Sequence, residues 1–154
     1  MKNLLRLAVL TAALAAIGAP SVLAGGMTFP KLDNAAVLKE CGSCHLVYRP
    51  QMLPQRSWDA ILKNLASHFG ENATVTEPAR TEIATYLTAN AADAADKKQF
   101  ARLLRGVKAD VTPLRITEMP WWLRGEGHGK FKGASNCTSS RCHAGADKSG
   151  YFGE

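Results

Sequence analysis

The residues of this chain best suited to chemistry are its four cysteines and four histidines. The cysteines form two close pairs, and a histidine follows each pair at once, in CGSCH at residues 41–45 and in CTSSRCH at residues 137–143. Half of the histidines therefore occupy one kind of position, directly after a pair of thiols. Because thiols and imidazoles are strong ligands for metals and prosthetic groups, this repeated pattern indicates a cofactor-binding protein.

The first segment fits the C-x-x-C-H pattern by which haem is attached covalently. Cys41 and Cys44 are spaced so that both sulfurs can form thioethers with the two haem vinyl groups, and His45 can then bind the iron from one side. The alternatives are a redox-active C-x-x-C pair and half of a zinc site. A redox pair of the thioredoxin type is expected after a strand of a βαβ unit, which the sequence does not predict. We therefore predict a haem at this segment.

A low-spin haem needs a sixth ligand, which is usually histidine or methionine. The segment SWDAILKNLASHFG predicts a helix over residues 57–70, with Ser57 as its cap and Gly70 at its end. His68 falls on the apolar face of this helix, and we predict that it binds the iron on its second side. The alternatives are that His68 is an ordinary core residue, or that Met52 is the ligand.

Two further helices are predicted around this haem. One begins near Asp33 and leads into the first cysteine pair. The other is capped by Thr76, has Pro78 in its first turn and continues to about Ala92. Together with the helix over residues 57–70, they predict a mostly α fold with a helical N-terminal haem domain. This arrangement of three helices resembles the cytochrome c fold.

Two properties of the sequence change around residues 93–97. The helical stripe of apolar residues stops, and the net charge becomes positive in the residues that follow. We predict a boundary there, between an N-terminal haem domain over residues 25–94 and a C-terminal haem domain over residues 95–154. In the second part, KKQFARLLRG predicts a short helix ended by Gly106, and the following segment has too few alternating apolar positions for a sheet. About 60 residues of this composition bury little apolar surface, so a haem is expected to organise this largely irregular domain.

The second segment, CTSSRCH, is interpreted as a second attachment site. Four residues separate Cys137 from Cys142 instead of two, but an insertion that loops out still leaves both sulfurs at the haem vinyls, with His143 next to the iron. The alternative is a disulfide between the two cysteines, which an exported protein can form. A disulfide that closes so small a loop adds little stability and leaves the histidine without a role.

The fourth histidine, His128, lies in the glycine-rich stretch WWLRGEGHGKF. From such a loop it can reach an iron, and we interpret it as the second ligand of the second haem. The alternative is a loop histidine that faces solvent. Trp121 and Trp122, at the start of the same stretch, can flank a haem, although packing in the core is the ordinary role of such side chains.

The N-terminus has the layout of a secretory signal peptide. Lys2 and Arg6 precede the apolar run LAVLTAALAAIGAPSVLA, and small residues favour cleavage after Ala24. We predict that residues 1–24 are removed, that the mature protein is periplasmic, and that it has no membrane span. The alternative is an uncleaved N-terminal anchor.

The charge distribution argues against binding of nucleic acid. The formal net charge of +6 falls to +4 when the two basic residues of the signal peptide are removed. Residues 25–94 carry 6 basic and 7 acidic side chains, whereas residues 95–154 carry 11 basic and 6 acidic ones. The positive half can steer an acidic partner, but its charges are dispersed and lack the cluster that nucleic-acid-binding proteins use.

The sequence resembles the dihaem cytochrome c family of small periplasmic electron carriers. The matching stretches run along most of the mature chain and are CGSCHLVYRPQMLPQRSW, ASHFGENATV, IATYLTANAA, TPLRITEMPWW and SNC…CHAGADKSGYF. The resemblance implies two covalently attached haem c groups with two histidines on each iron. It places His45 and His68 on the first iron, and His143 and His128 on the second. The spacing in CTSSRCH departs from the family pattern, which ordinarily has two residues between the cysteines.

The expected function follows from this ligation. An iron with two histidine ligands has no open coordination site, so the resemblance implies outer-sphere transfer of single electrons and no enzyme activity. Histidine in place of methionine as the sixth ligand lowers the reduction potential. By resemblance, the partners are a small oxygen-binding monohaem cytochrome c and a membrane b-type cytochrome.

Two other functions remain open from the residues themselves. One is a cytochrome with a partly open haem, which binds a small gas ligand or belongs to a redox enzyme. The other is a monohaem protein whose disulfide-bonded tail serves as an interaction module.

The number of covalently bound haems tests these expectations. We expect the denatured protein from a host with cytochrome maturation genes to have the mass of residues 25–154 plus two haems, because thioether bonds survive denaturation. Intact-mass spectrometry measures this directly. Replacing Cys137 and Cys142 with serine is the matched control, which should remove one haem and keep the other. A wild-type mass with a single haem would contradict the second attachment site.

Overall fold

The computed structural model describes residues 28–94, 99–124 and 145, and this part of the chain is helical, without a strand. The predicted mostly α fold is therefore confirmed. The α-helices are α1 (Ala35–Cys41), α2 (Gln55–Lys63), α3 (Ala79–Ala89) and α4 (Pro120–Arg124). Short 3₁₀ helices occupy Pro50–Met52, Leu65–Ser67, Ala101–Leu104 and Ile116–Glu118. Within the described residues, no helix is long and apolar enough to cross a membrane.

Helix α1 begins at an asparagine cap and ends in the first cysteine pair. The Asn34 side-chain oxygen accepts the backbone N–H of Val37 at 2.8 Å, which satisfies one of the unpaired donors of the first turn. The side-chain amide of Asn34 also donates to Glu82 of α3 at 2.8 Å. One residue therefore both caps α1 and fixes its start against α3, close to the predicted start near Asp33.

Helix α2 starts two residues earlier than predicted. Ser57 is fully buried inside the helix and does not cap it. The cap comes from a distant part of the chain, because Asp93 Oδ1 accepts the backbone N–H of Gln55 at 2.6 Å. The predicted helix over residues 57–70 is also too long, since α2 gives way to a 3₁₀ turn after Lys63.

Helix α3 is capped by a different residue from the one predicted. Glu77, and not Thr76, supplies the cap, because its carboxylate accepts the hydroxyl of Thr81 at 2.7 Å and the backbone N–H of Thr81 at 3.1 Å. These two hydrogen bonds hold the pKa of Glu77 below its ordinary value. The helix ends at Ala89, a little before the predicted end near Ala92.

One core joins the helices to the chain beyond the predicted boundary at residues 93–97. Phe29 stacks on Phe100 with ring centroids 5.4 Å apart, and both rings are buried. The indole N–H of Trp58 donates to the Pro50 carbonyl at 2.8 Å, so this buried donor is satisfied. The division into two haem domains stays a prediction, since most residues after 124 lie outside the described part. The buried apolar side chains are Phe29, Leu32, Val37, Met52, Leu53, Trp58, Leu62, Ile83, Leu87, Ala91, Ala92, Phe100, Leu103, Ile116, Met119 and Trp122.

The described chain from residue 99 onward is largely irregular, as predicted, and is tied to α2 by hydrogen bonds. The Arg56 guanidinium donates to the carbonyl oxygens of Val111 at 3.0 Å and Lys108 at 3.2 Å. The predicted short helix ended by Gly106 is a 3₁₀ turn over Ala101–Leu104. An irregular segment can keep a fixed position in this way, because a side chain from a neighbouring helix satisfies its carbonyl groups.

The substitution Asp93→Ala tests the long-range cap of α2. Removing the carboxylate leaves the first-turn N–H of Gln55 without its acceptor, so we expect the free energy of unfolding to fall by about 1 kcal/mol. Denaturant unfolding of the haem-loaded protein measures this. Asp110→Ala removes the same charge from an exposed turn and should change stability by less than about 0.5 kcal/mol. Equal losses in the two variants would contradict the capping role.

Candidate functional site

The first cysteine pair lies at the C-terminal end of α1. Cys41 is the last residue of the helix, and Cys44 lies in the turn that follows it. The Ser43 hydroxyl donates to the carbonyl oxygen of Glu40 at 2.9 Å, which holds this turn against the end of the helix. Neither thiol is in a disulfide. The helix thus positions one sulfur and the turn positions the other, so both are available to bind one group.

The two thiols have different environments. Burial, with a smaller contribution from the Glu40 carboxylate, raises the pKa of the Cys41 thiol. Cys44 is exposed. A redox-active C-x-x-C pair depends on an attacking cysteine whose pKa is lowered, because the thiolate is the nucleophile. The raised pKa of Cys41 therefore disfavours the redox interpretation of CGSCH.

Gly42 lies where the turn leaves no room for a side chain. A Cβ at this position would overlap the carbonyl oxygen of Leu38 and would lie 3.2 Å from Cγ2 of Val47. A residue with a side chain would therefore push the turn away from the helix end. This restriction on the second position of CGSCH comes from packing and is not part of the C-x-x-C-H pattern.

His45 presents one ring nitrogen to the backbone and keeps the other for a ligand. Its Nδ1 lies 2.6 Å from the carbonyl oxygen of Leu46. Since a carbonyl only accepts, Nδ1 carries the proton and Nε2 carries the lone pair that can bind a metal. The Tyr48 ring stacks against the imidazole with centroids 5.3 Å apart. The hydrogen bond and the stacked ring together fix the orientation of this imidazole.

His68 lies in a tight turn and not on the helix that the sequence predicts. It follows the 3₁₀ helix Leu65–Ser67 and pairs with Glu71, each backbone N–H donating to the other carbonyl at 2.8 and 3.0 Å. Phe69 and Gly70 between them have φ values of 53° and 106°. Two successive positive φ angles are the mark of a two-residue type I′ turn. The backbone beside the His68 imidazole is therefore fixed by hydrogen bonds.

This turn places the His68 ring opposite the His45 ring. The ring centroids are 6.2 Å apart and the ring planes differ by 17°. Two imidazoles that bind one metal ion from opposite sides, each at about 2 Å, have centroids about 6 Å apart. The centroid separation of His45 and His68 therefore matches that of two imidazoles bound to one iron. Met52, the competing candidate ligand, is instead buried in the apolar core.

The surroundings of His68 favour its neutral form. Burial lowers the pKa of His68, and the nearby His45 and Arg115 lower it further. Only a neutral imidazole has a lone pair for a metal, so these effects keep the ring ready to bind.

Arg115 reaches this site from the far end of the described chain. Its guanidinium carbon lies 3.8 Å from the centroid of the Phe69 ring, and Phe69 meets the His68 ring edge-on at 4.7 Å. No sequence pattern identified Phe69 or Arg115 as part of this site. The available signal was the position of Arg115 in TPLRITEMPWW, one of the stretches that carry the family resemblance.

The second predicted haem site lies outside the described residues, and its members are Cys137, Cys142, His143 and His128. The neighbouring tryptophans are described. Trp122 is buried in the core and Trp121 is half-buried, with their ring centroids 6.0 Å apart. The ordinary core-packing role therefore accounts for Trp122.

The described donor set fits a haem better than a zinc ion. Over residues 28–94 and 99–124, no three histidine, cysteine or carboxylate side chains are grouped to hold a metal ion. A zinc site formed by Cys41 and Cys44 would need two more ligands. A covalent haem needs two thiols and two imidazoles on opposite sides of the iron, which the first cysteine pair, His45 and His68 can supply.

Residues 37–151 match the sequence profile of a family described as dihaem cytochrome c. The match covers most of the chain and includes both cysteine pairs and all four histidines. The chain belongs to the dihaem cytochrome c family. The resemblance found in the sequence is thereby confirmed, and membership of this family implies two haem groups.

Solved structures agree with this assignment. A dihaem cytochrome c from Rhodobacter sphaeroides is 38% identical, with a TM-score of 0.66, over 77% of this chain and 96% of that chain. Another structure of a protein purified from Rhodobacter sphaeroides is 35% identical, with a TM-score of 0.59, over 77% of this chain and 97% of that chain. A dihaem cytochrome type c from Shewanella baltica is 31% identical, with a TM-score of 0.52, over 75% and 84% respectively. No curated protein matches the chain.

The substitution Gly42→Ala tests the packing constraint inside CGSCH. The new methyl group would overlap the Leu38 carbonyl, so the turn must shift and carry Cys44 away from its position. We expect a stability loss of about 1–3 kcal/mol and a lower yield of haem-loaded protein, measured as haem absorbance per polypeptide. Lys63→Ala changes an exposed position at the end of α2, outside this turn, and should give close to the wild-type yield. A wild-type yield and stability for Gly42→Ala would contradict this account of the turn.

Proposed function

We propose that this dihaem cytochrome c is a periplasmic carrier of single electrons whose two covalent, low-potential haems are each ligated by two histidines. The observation that carries the proposal is the separation of the His45 and His68 imidazoles, whose ring centroids are 6.2 Å apart and whose planes differ by 17°. When bound, haem supplies a one-electron Fe(III)/Fe(II) couple. The chain itself holds the group, orients its ligands and limits what can reach the iron.

The first haem would be held by the segment at the end of α1 and by the His68 turn. Cys41 and Cys44 would form the thioether bonds, since neither is in a disulfide and the turn places both beside His45. His45 would bind through Nε2, because its Nδ1 is committed to the Leu46 carbonyl. His68 would bind from the opposite side, with its backbone held by the paired hydrogen bonds of the turn.

The second haem would be held by Cys137 and Cys142, with His143 and His128 on its iron. The support for this assignment is the family match, which continues through residue 151 and so includes all four side chains. The spacing of CTSSRCH remains a departure from C-x-x-C-H, and the two extra residues would loop out between the sulfurs.

Two imidazoles on one iron favour electron transfer over catalysis. With a side chain bound on each side, no coordination position remains where a substrate or gas could bind. The haem could still gain and lose one electron through the surrounding protein, without forming a bond to the redox partner. A histidine as sixth ligand also lacks the potential-raising effect of methionine, which supports low reduction potentials.

The proposed location is the periplasm, and the proposed partners are other redox proteins. Residues 1–24 would direct export and then be cleaved, which leaves the mature chain in the periplasm, where disulfides and covalent haem are compatible with the surroundings. The partners would be other redox proteins, a small oxygen-binding monohaem cytochrome c and a membrane b-type cytochrome. Residues 95–154 carry 11 basic and 6 acidic side chains. Their positive net charge would steer an acidic partner towards that part of the chain.

The substitution His68→Ala tests the ligation of the first haem. Removing the imidazole opens one side of the iron, so we expect the reduced variant to bind carbon monoxide at least about tenfold faster than wild type, where a histidine must first leave the iron. Stopped-flow absorbance measures the rate. The oxidised wild-type protein should show the electron paramagnetic resonance spectrum of two axial imidazoles.

Met52→Leu is the matched control, because it removes the competing ligand and nearly conserves its volume. This variant should bind carbon monoxide as slowly as wild type. Fast binding in Met52→Leu together with slow binding in His68→Ala would assign the ligand to Met52 and overturn the proposed ligation. Fast binding in the wild-type protein would favour a gas-binding cytochrome over a closed electron carrier.

A further inference from the structure

We propose that Arg115 is a positioning residue for the first haem, which fixes the His68 turn through its cation–π contact with Phe69 and raises the reduction potential of that haem by its charge. This inference rests on the proposed function, since it takes His68 as an axial ligand. It links the second half of the chain to the haem that the first half attaches.

Three contacts in series connect Arg115 to the facing imidazoles. The guanidinium carbon lies 3.8 Å from the centroid of the Phe69 ring, well within the distance at which a cation is attracted to an aromatic face. The Phe69 ring meets His68 edge-on with centroids 4.7 Å apart. The His68 ring centroid in turn lies 6.2 Å from that of His45, the separation expected for two imidazoles on one iron.

Neither the backbone conformation nor the burial at position 69 favours a phenylalanine. Its φ of 53° lies in the left-handed region, where glycine and asparagine are usual and a bulky residue is an outlier. Its side chain is 44% exposed, so little burial compensates. The contacts that favour phenylalanine here are those of its ring with His68 and Arg115. Strain of this kind is concentrated at functional positions, where surrounding contacts hold it in place.

Arg115 is itself held by the fold. The Glu118 carboxylate accepts the backbone N–H groups of Arg115 at 3.3 Å and of Leu114 at 2.9 Å, which closes the segment around the start of a 3₁₀ helix. The adjacent Ile116 and Met119 are buried in the shared core. The guanidinium is therefore presented to Phe69 by a segment with a fixed backbone and a buried anchor.

The charge of Arg115 would affect the reduction potential of the first haem iron. Among the described residues, the Arg115 guanidinium forms no salt bridge, and the Glu118 carboxylate is bonded to backbone N–H groups of the same segment. Reduction of an iron adds one negative charge, and a nearby cation stabilises the reduced state by Coulomb attraction. Since a guanidinium stays protonated at all accessible pH values, this effect should not depend on pH.

The reduction potential of the full-length, haem-loaded protein tests the role of the charge. In a potentiometric titration, the component that His68→Ala displaces identifies the first haem. We expect Arg115→Gln to lower the equilibrium constant for reduction of that haem about threefold, which is about 28 mV at 59 mV per tenfold, and to leave the second haem unchanged. Arg115→Lys keeps the charge and should stay close to the wild-type potential.

The rate of carbon monoxide binding to the reduced protein tests the positioning role. Phe69→Leu and Arg115→Gln each remove the cation–π contact, so His68 should leave the iron more often and the first haem should bind carbon monoxide severalfold faster. Arg115→Lys should fall between these variants and wild type, because an ammonium keeps the attraction but loses the planar stacking.

Arg102→Gln is the matched control, because it removes the same charge from an exposed position of the 3₁₀ helix Ala101–Leu104. If Arg115→Gln changes neither the potential of the first haem nor the binding rate beyond this control, the inference is wrong. If Arg115→Lys lowers the potential as much as Arg115→Gln, the role of the charge is wrong. A wild-type resonance spectrum without two imidazoles would instead overturn the proposed function, so the two failures are distinguishable.

Discussion

The separation of two imidazole rings is the constraint on which the arrangement of the described chain depends. The ring centroids of His45 and His68 lie 6.2 Å apart, about the span of two imidazoles on one metal ion, although 23 positions separate the residues in the sequence. Helix α1 and its turn place the first ring, the type I′ turn places the second, and α2 joins the two. The contacts of α2 with α3 and the capping of α2 by Asp93 hold these elements in fixed positions relative to one another.

The sequence predicts those parts of this arrangement that are local. The order of residues in CGSCH predicts two sulfurs for attachment and one ligand, because the attachment pattern is defined by spacing along a short segment. Ile83 and Leu87 lie four positions apart in α3 and are both in the core, which is the spacing of one helical face. His68 is identified as a candidate ligand from its apolar neighbours, although the predicted helix around it is wrong.

Other features depend on residues far apart in the chain, and no local pattern predicts them. In the sequence, Ser57 resembles a helix cap, but in the structure tertiary packing buries it. The cap comes from Asp93, which accepts the backbone N–H of Gln55, 38 positions away. The contact of Phe69 with Arg115 likewise requires the whole fold, because an exposed arginine and a phenylalanine before a glycine carry no periodic signal. Such long-range pairs become visible only when the elements are packed together.

The hydrogen-bonded turn around His68 also bears on how much the molecule must move when it changes oxidation state. A ligand whose backbone is bonded on both sides has little freedom to travel as the charge on the iron changes. In the proposed ligation, the nuclear rearrangement that accompanies each electron would therefore be small, because the surrounding groups already hold their final positions. A small reorganisation energy allows rapid exchange with a partner of nearly equal potential, and the direction of flow can then follow small differences in potential.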